Sequence, residues 1–271
     1  MKAGLPRLKW HMLRRRVSDP AHLRENLDAG LRAGAALEVD LVATADGAFV
    51  CLHDLTLDRE TTGSGPVAER SAEDIRRLRQ RGVDGAPLDR PPLFFDEVVA
   101  AVARSPHHDR QVQLDFKVPA AAFDAGMLGG LRKMVGDLAP AFIVGTTDAE
   151  VYARVHAGAP EIAVGFDPLA LHEENPPTDR DSFAALADET LRLGPDALIY
   201  YLNADLVLAG LARGINLVER VTRNGAEVDA WTVDPTRPNV RDVLRALVEA
   251  GCHQITTNGP EALLPMLQEV A

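Results

Sequence analysis

Three carboxylates, two histidines and a lysine carry the chemistry available to this sequence. Glu38-Val39-Asp40 lies in a strongly β-type run, between Ala35-Ala36-Leu37 and Leu41-Val42. Side chains alternate faces along a strand, so both carboxylates point one way and Val39 the other. Two acids side by side repel each other and are costly to bury. An oxygen-preferring divalent cation, Mg²⁺ or Ca²⁺, relieves both problems. Taken alone, the pair is equally a solvated strand end. Phe49-Val50-Cys51-Leu52-His53-Asp54 is a second apolar run that ends in a histidine, and Asp54 either orients its ring or caps the next turn. In Val112-Gln113-Leu114-Asp115-Phe116-Lys117 the alternation recurs. Asp115 and Lys117 share a face, as part of a charged site or as a rim ion pair worth little. Trp10-His11 and Trp231-Thr232 sit in two further β-type runs, each Trp being either core packing or a platform for substrate. His22 follows Pro20 at a helix start and is expected to face solvent, while His107 and His108 fall in a charged loop.

In combination these residues say more than they do singly. The carboxylates contribute −3, a divalent cation +2 and Lys117 +1, a near-neutral constellation that accepts a monoanion. An unperturbed histidine has a pKa of about 6.5, so a pair supplies one general base and one general acid near neutral pH. That is equipment for breaking a phosphodiester: the metal screens the phosphate, one His activates an attacking hydroxyl and the other protonates the leaving alcohol.

Such a site needs a scaffold that gathers strand ends. Short β-type runs at 9–13, 36–41, 49–53, 111–116, 142–145, 163–166, 197–201, 228–233 and 254–257 alternate with helical patterns at 23–33, 72–80, 95–104, 120–138, 148–157, 182–193, 205–224, 240–250 and 260–269. Alternation of this kind means parallel βαβ units. With 49–53 set aside as an appended hairpin partner, eight strands match an α/β fold of the (β/α)₈ TIM-barrel type, whose usual size of about 250 residues is close to this chain. Its active sites lie at the C-terminal ends of the strands. A doubly wound sheet normally shows a glycine-rich turn after the first strand, and none follows Leu13. The segment from about 54 to 92, rich in Thr, Gly, Arg and Pro, reads as a small insertion after the second strand of one barrel domain spanning 1–271, since its core is too small to fold alone.

Composition removes other classes. The chain has 271 residues, 46% hydrophobic and 25% charged, which excludes disorder and collagen. With 29 Lys and Arg against 40 Asp and Glu, the net charge of −11 argues against nucleic-acid binding and a polybasic membrane anchor. Two cysteines, Cys51 and Cys252, form no disulfide framework. No apolar run spans a bilayer and the basic N-terminal stretch lacks an apolar signal region, so the expected location is cytoplasmic.

At this point the residues resemble the glycerophosphodiester phosphodiesterase family. The matching stretches are Glu25-Asn26, Glu38-Val39-Asp40, Thr44-Ala45-Asp46-Gly47 and the specific run His53-Asp54-Leu55-Thr56-Leu57-Asp58-Arg59-Glu60-Thr61-Thr62-Gly63-Ser64-Gly65. Pro92-Leu93 with Glu97-Val98, Asp115-Phe116-Lys117, Ala230-Trp231-Thr232-Val233 and Thr256-Thr257-Asn258-Gly259-Pro260 continue it. The resemblance implies Glu38, Asp40 and Asp115 as ligands of one divalent cation, with His11 and His53 as the acid/base pair. It places Lys117 on the phosphate and Trp231 near the alcohol of a small-molecule substrate, a glycerophosphodiester cleaved to sn-glycerol 3-phosphate and an alcohol.

Three positions depart from the family pattern. Met12 stands where an arginine follows the first histidine, a phosphate contact that Arg14 either replaces or does not. Asp115 stands for Glu. Asn258 replaces an acid that the family's chemistry does not require. His-Met and Asp-x-Lys also resemble the sphingomyelinase D type relatives, so headgroup hydrolysis of a lysophospholipid or sphingolipid is the second reading. A binding homologue that has lost activity is the third. Of the two candidate first histidines, His11 is preferred over His22 because its apolar run can form the first barrel strand.

Overall fold

The computed structural model describes residues 5–106, 112–223 and 225–270. Its strands are β1 (Arg7–Trp10), β2 (Ala36–Ala43), β3 (Phe49–Val50), β4 (Val112–Phe116), β5 (Phe142–Thr146), β6 (Ala163–Phe166), β7 (Ile199–Asn203), β8 (Glu227–Trp231) and β9 (Gln254–Thr257). All except β3 pair in parallel in the order β1-β9-β8-β7-β6-β5-β4-β2, and β1 pairs with β2 to close the ring. This is the expected (β/α)₈ barrel. β3 pairs antiparallel with the far end of β2, Val42 opposite Val50, as an appended hairpin.

Eleven helices lie among the described residues: α1 (Arg24–Ala33), α2 (Ala72–Arg76), α3 (Phe95–Val102), α4 (Ala125–Val135), α5 (Ala149–Gly158), α6 (Leu169–His172), α7 (Arg180–Leu193), α8 (Ala204–Leu211), α9 (Leu217–Val221), α10 (Val240–Ala250) and α11 (Pro260–Val270). The apolar stripe of α1, Leu27 and Leu31, is buried against the barrel wall. Gly30 allows the approach, because a Cβ there would lie 2.5 Å from Leu37 Cδ2.

Three expected helices are interrupted. The pattern at 72–80 ends at Arg76. That at 120–138 restarts at Ala125, where the Asp124 side chain accepts the Met127 N–H, and passes into a 3-10 turn at Gly136–Ala141. That at 205–224 breaks at Gly214 (φ +72°) before Asn216 caps α9. In the last two cases apolar periodicity runs through a local stop signal that the backbone obeys. Residue 111, at the start of one expected strand, and residue 224, at the end of one expected helix, lie outside the described residues, as do His107 and His108.

The barrel interior beneath the C-terminal mouth is polar. Lys9 and Asp229, both buried, form an ion pair at 2.8 Å. Asp229 also accepts from Gln254 Nε2 and Thr256 Oγ1, and the Lys9 ammonium lies 4.3 Å from the centre of the Tyr201 ring. A buried pair survives desolvation only with such supporting bonds. Leu57, Val67 and Ile75 of the insertion form a satellite cluster with Val42, Val50, Leu52 and Phe94. No helix among the described residues is long and apolar enough to cross a membrane.

Candidate active site

Strand register assembles the carboxylates. Asp40 of β2 stands opposite Asp115 of β4, and Glu38 lies two residues earlier on the same face. Ligand oxygens of all three fall within 4.8 Å of one another. Glu38 and Asp40 are buried and Asp115 is half-buried. Burial, with the charges of Asp40 and Asp115, raises the Glu38 carboxyl well above its ordinary range. Asp40 is held below the ordinary range despite burial, because His22 and Lys117 favour its charged form.

Lys117 caps the cluster, with Nζ 2.9 Å from Asp40 Oδ1 and 2.8 Å from Asp115 Oδ2. Burial opposes its charge, but these two carboxylates raise it above the ordinary lysine range. Asp40 Oδ2 is buried without a hydrogen bond. Three hard oxygen donors and an unsatisfied carboxylate oxygen fit Mg²⁺ or Ca²⁺.

His11 arrives differently from the sequence expectation. β1 ends at Trp10, not Leu13, and His11–Leu13 forms one 3-10 turn with Met12 at φ +53° and Leu13 at φ +56°. The turn sends His11 over the mouth, where Nδ1 lies 2.8 Å from Asn258 Oδ1. Asn258 Nδ2 donates to Asp234 Oδ2 at 3.1 Å and Asn258 N to Asp234 Oδ1 at 2.9 Å. The amide oxygen is thereby the acceptor, so His11 carries its hydrogen on Nδ1 and leaves Nε2 as a base. Burial lowers the pKa of this ring, partly offset by the Asn258 bond. Asn258, expected to be dispensable, therefore fixes the tautomer of the first histidine. The signal in the sequence was its place directly after the last barrel strand, which ends at Thr257.

His53 is exposed on the opposite rim. Its Nδ1 lies 3.1 Å from Asp54 Oδ1. Arg59 clamps both Asp54 oxygens at 2.6 Å, and Glu60 Oε2 accepts the backbone N–H groups of His53 and Asp54 at 2.9 and 3.0 Å. The Arg59 bonds hold the Asp54 carboxyl down at about 2. The motif after His53 is thus a brace for that histidine's turn.

A cavity of about 540 Å³ opens between the two rings. His11, His53, Glu38, Asp115, Lys117 and Trp231 line it. Arg14 is not among the lining residues; its Nη1 donates to Asn258 Oδ1 at 3.2 Å. Trp231 is half-buried at the end of β8, its Nε1 without a hydrogen bond.

Sequence reasoning missed two further groups. Asp167, just beyond β6, lines the cavity, and burial pushes its carboxyl up to about 7. His22, expected at solvent, is 1% exposed and packs against Asp40. Its helix-start context is real, but the preceding loop folds inward. Glu25 and Asn26 point elsewhere, to Arg90 and Asp19.

Residues 24–262 match the glycerophosphoryl diester phosphodiesterase family. The chain belongs to that family. A Mycobacterium tuberculosis (strain H37Rv) protein named "Probable glycerophosphodiester phosphodiesterase 1" is 28% identical over 233 residues, covering 79% of this chain and 77% of that protein. The Caldanaerobacter subterraneus glycerophosphodiester phosphodiesterase is 24% identical over 260 residues, covering 93% and 95%. Among solved structures, an Oleispira antarctica phosphodiesterase in complex with the product sn-glycerol-3-phosphate superposes with a TM-score of 0.71 at 16% identity, over 97% of each chain. For this family member the match begins after His11 and His22. Their placement rests on the three-dimensional structure alone.

Proposed function

We propose that this barrel hydrolyses glycerophosphodiesters to sn-glycerol 3-phosphate and an alcohol, with His11 and His53 as the acid/base pair. The observation that carries this reading is the placement of two differently held imidazoles across one cavity from a three-carboxylate cluster. Glu38, Asp40 and Asp115 would hold a divalent cation. Once bound, it would screen the phosphate charge and polarise a phosphoryl oxygen.

The chain's own residues supply the proton transfers. His11 Nε2, free because Nδ1–H is tied to Asn258, takes a proton from the attacking water, whose oxygen forms the new bond to phosphorus. His53, its Nδ1 turned to Asp54, gives a proton from Nε2 to the departing alkoxide, so the bond to phosphorus breaks without expelling a bare anion. Lys117 lies where a non-bridging phosphate oxygen would meet its ammonium. Trp231 forms a wall for the alcohol.

Chelation should abolish hydrolysis of glycerophosphocholine and glycerophosphoethanolamine, and Mg²⁺ or Ca²⁺ should restore it. Full turnover by verified metal-free protein would overturn the role given to the carboxylates.

A second reading, headgroup hydrolysis of a lysophospholipid, draws support from the apolar side of the cavity. Phe116, Val118, Phe123, Val151 and Leu169 line it. A higher kcat/KM for lysophosphatidylcholine than for glycerophosphocholine would favour this second reading.

A further inference from the structure

The loop between β1 and α1 touches two of the three carboxylates from behind. Met12 N–H donates to Glu38 Oε2. His22 Nε2 lies 3.2 Å from Asp40 Oδ2, and the Asp40 backbone N–H lies 3.2 Å from the same nitrogen. The His22 backbone N–H donates to the Met12 carbonyl at 2.7 Å, which joins the two contacts.

The backbone there is held in an unfavourable shape. Met12, Leu13 and His22 all have φ between +53° and +56°, although none is glycine. Such a conformation is unfavourable for a residue with a Cβ and persists only where the surroundings over-determine it. The surroundings here include the insertion, since Gln80 Nε2 donates to the carbonyl of Ala21. Strain retained at the back of a ligand cluster needs a compensating contact, and the ring of His22 makes one.

Either neutral tautomer ties that ring to residue 40. With its hydrogen on Nδ1, Nε2 accepts the Asp40 N–H; with the hydrogen on Nε2, the same nitrogen faces the carboxylate as a donor. Asp40 Oδ1 is engaged by Lys117 and the Asp40 backbone N–H by the His22 ring, so residue 40 is held at its carboxylate and at its backbone. Outer partners of this kind orient metal-ligating carboxylates.

We propose that His22 is a positioning residue, a brace that sets the backbone and carboxylate of Asp40 for cation binding, with Met12 as the matching brace on Glu38. This rests on the reading of Glu38, Asp40 and Asp115 as a cation site.

The test is calorimetric titration of Mg²⁺ and of Ca²⁺ into metal-free protein, for the parent, His22→Asn and His22→Gln. Asn tolerates the positive φ but is too short to reach Asp40, whereas the longer Gln amide can reach it. His22→Asn should weaken cation binding by about 10- to 100-fold, in the range found for outer partners of metal ligands. His22→Gln should stay within a few-fold of the parent. Thermal unfolding of the metal-free proteins checks the fold, and Gln80→Met is a second route, loosening only the clamp on Ala21 and giving a smaller loss of affinity. Unchanged cation affinity in folded His22→Asn, or a loss of thermal stability alone, overturns the brace. No cation binding by the parent itself would instead remove the carboxylate site, a result distinguishable from failure of His22.

Discussion

The two histidines of the site are mounted in opposite ways. His11 is half-buried and fixed by residues just beyond the last two barrel strands, Asn258 and, through it, Asp234. His53 stands exposed on a turn held by Asp54, Arg59 and Glu60 of the insertion. One ring depends on desolvation and a neutral amide, the other on an ion pair facing water. The difference suits a division of labour. A base works best unprotonated, which burial favours for His11, while His53 lines the cavity with its Nδ1 turned to Asp54.

Removing either ring tests this comparison most severely. His11→Ala and His53→Ala should each lower kcat/KM by about 10²- to 10⁴-fold with folding intact. If only one variant loses activity on that scale, the pair does not share the chemistry.

Cutting the supports should separate the two mountings. Asn258→Ala frees a half-buried ring to take the wrong tautomer and should cost about ten-fold in kcat, a part of the full acid/base contribution. Arg59→Ala breaks a pair that faces solvent, worth about 1 kcal/mol or less, so its loss should stay within about five-fold. An Arg59 effect larger than that of Asn258 would reverse the comparison.

The pH profile sharpens it. A base must be unprotonated, so kcat/KM should fall as pH drops through the pKa of His11, which burial places below the ordinary 6.5. The Asn258 bond raises that pKa, so Asn258→Ala should move the acid limb further down. An acid limb above the ordinary histidine value would contradict the assignment.

The smallest effect concerns Asp167 across the cavity. Its folded pKa of about 7 lies above the unfolded value near 4, so the folded chain holds a proton that the unfolded chain has released. Stability is then lost as pH rises between these two values. Asp167→Asn should melt like the parent in acid and higher than the parent at alkaline pH. The difference between the two values corresponds to at most about 4 kcal/mol. Because the side chain is only half-buried, the gain should be about 1 kcal/mol, or about 2–4 °C for a chain of this size. Equal melting at both ends of the range would show that the carboxyl is not desolvated in the folded protein.

Much of the scaffold and part of the site were legible because period-2 alternation is a local property. Glu38 and Asp40 share a face by strand geometry, as do Asp115 and Lys117, and neither pairing needs a tertiary contact to be inferred. Helix breaks at Gly214 and Asn216 were equally local but were overridden by apolar periodicity. The path from Trp10 to Leu23 was not legible. Three non-glycine residues with positive φ occur there, a conformation that no residue type announces.

By itself the sequence determined the barrel, the strand-borne carboxylates and the motif that braces His53, since each depends on neighbours a few positions apart. Only the tertiary structure decided which loop residues face inward. His22 looked like a solvated helix start and became a wall of the carboxylate cluster. Asn258 looked dispensable and became the partner of a ring 247 positions away. The physical reason is the same for both. A buried polar group is placed by whichever partner satisfies it, and such partners are set by strand register and chain closure rather than by local propensity.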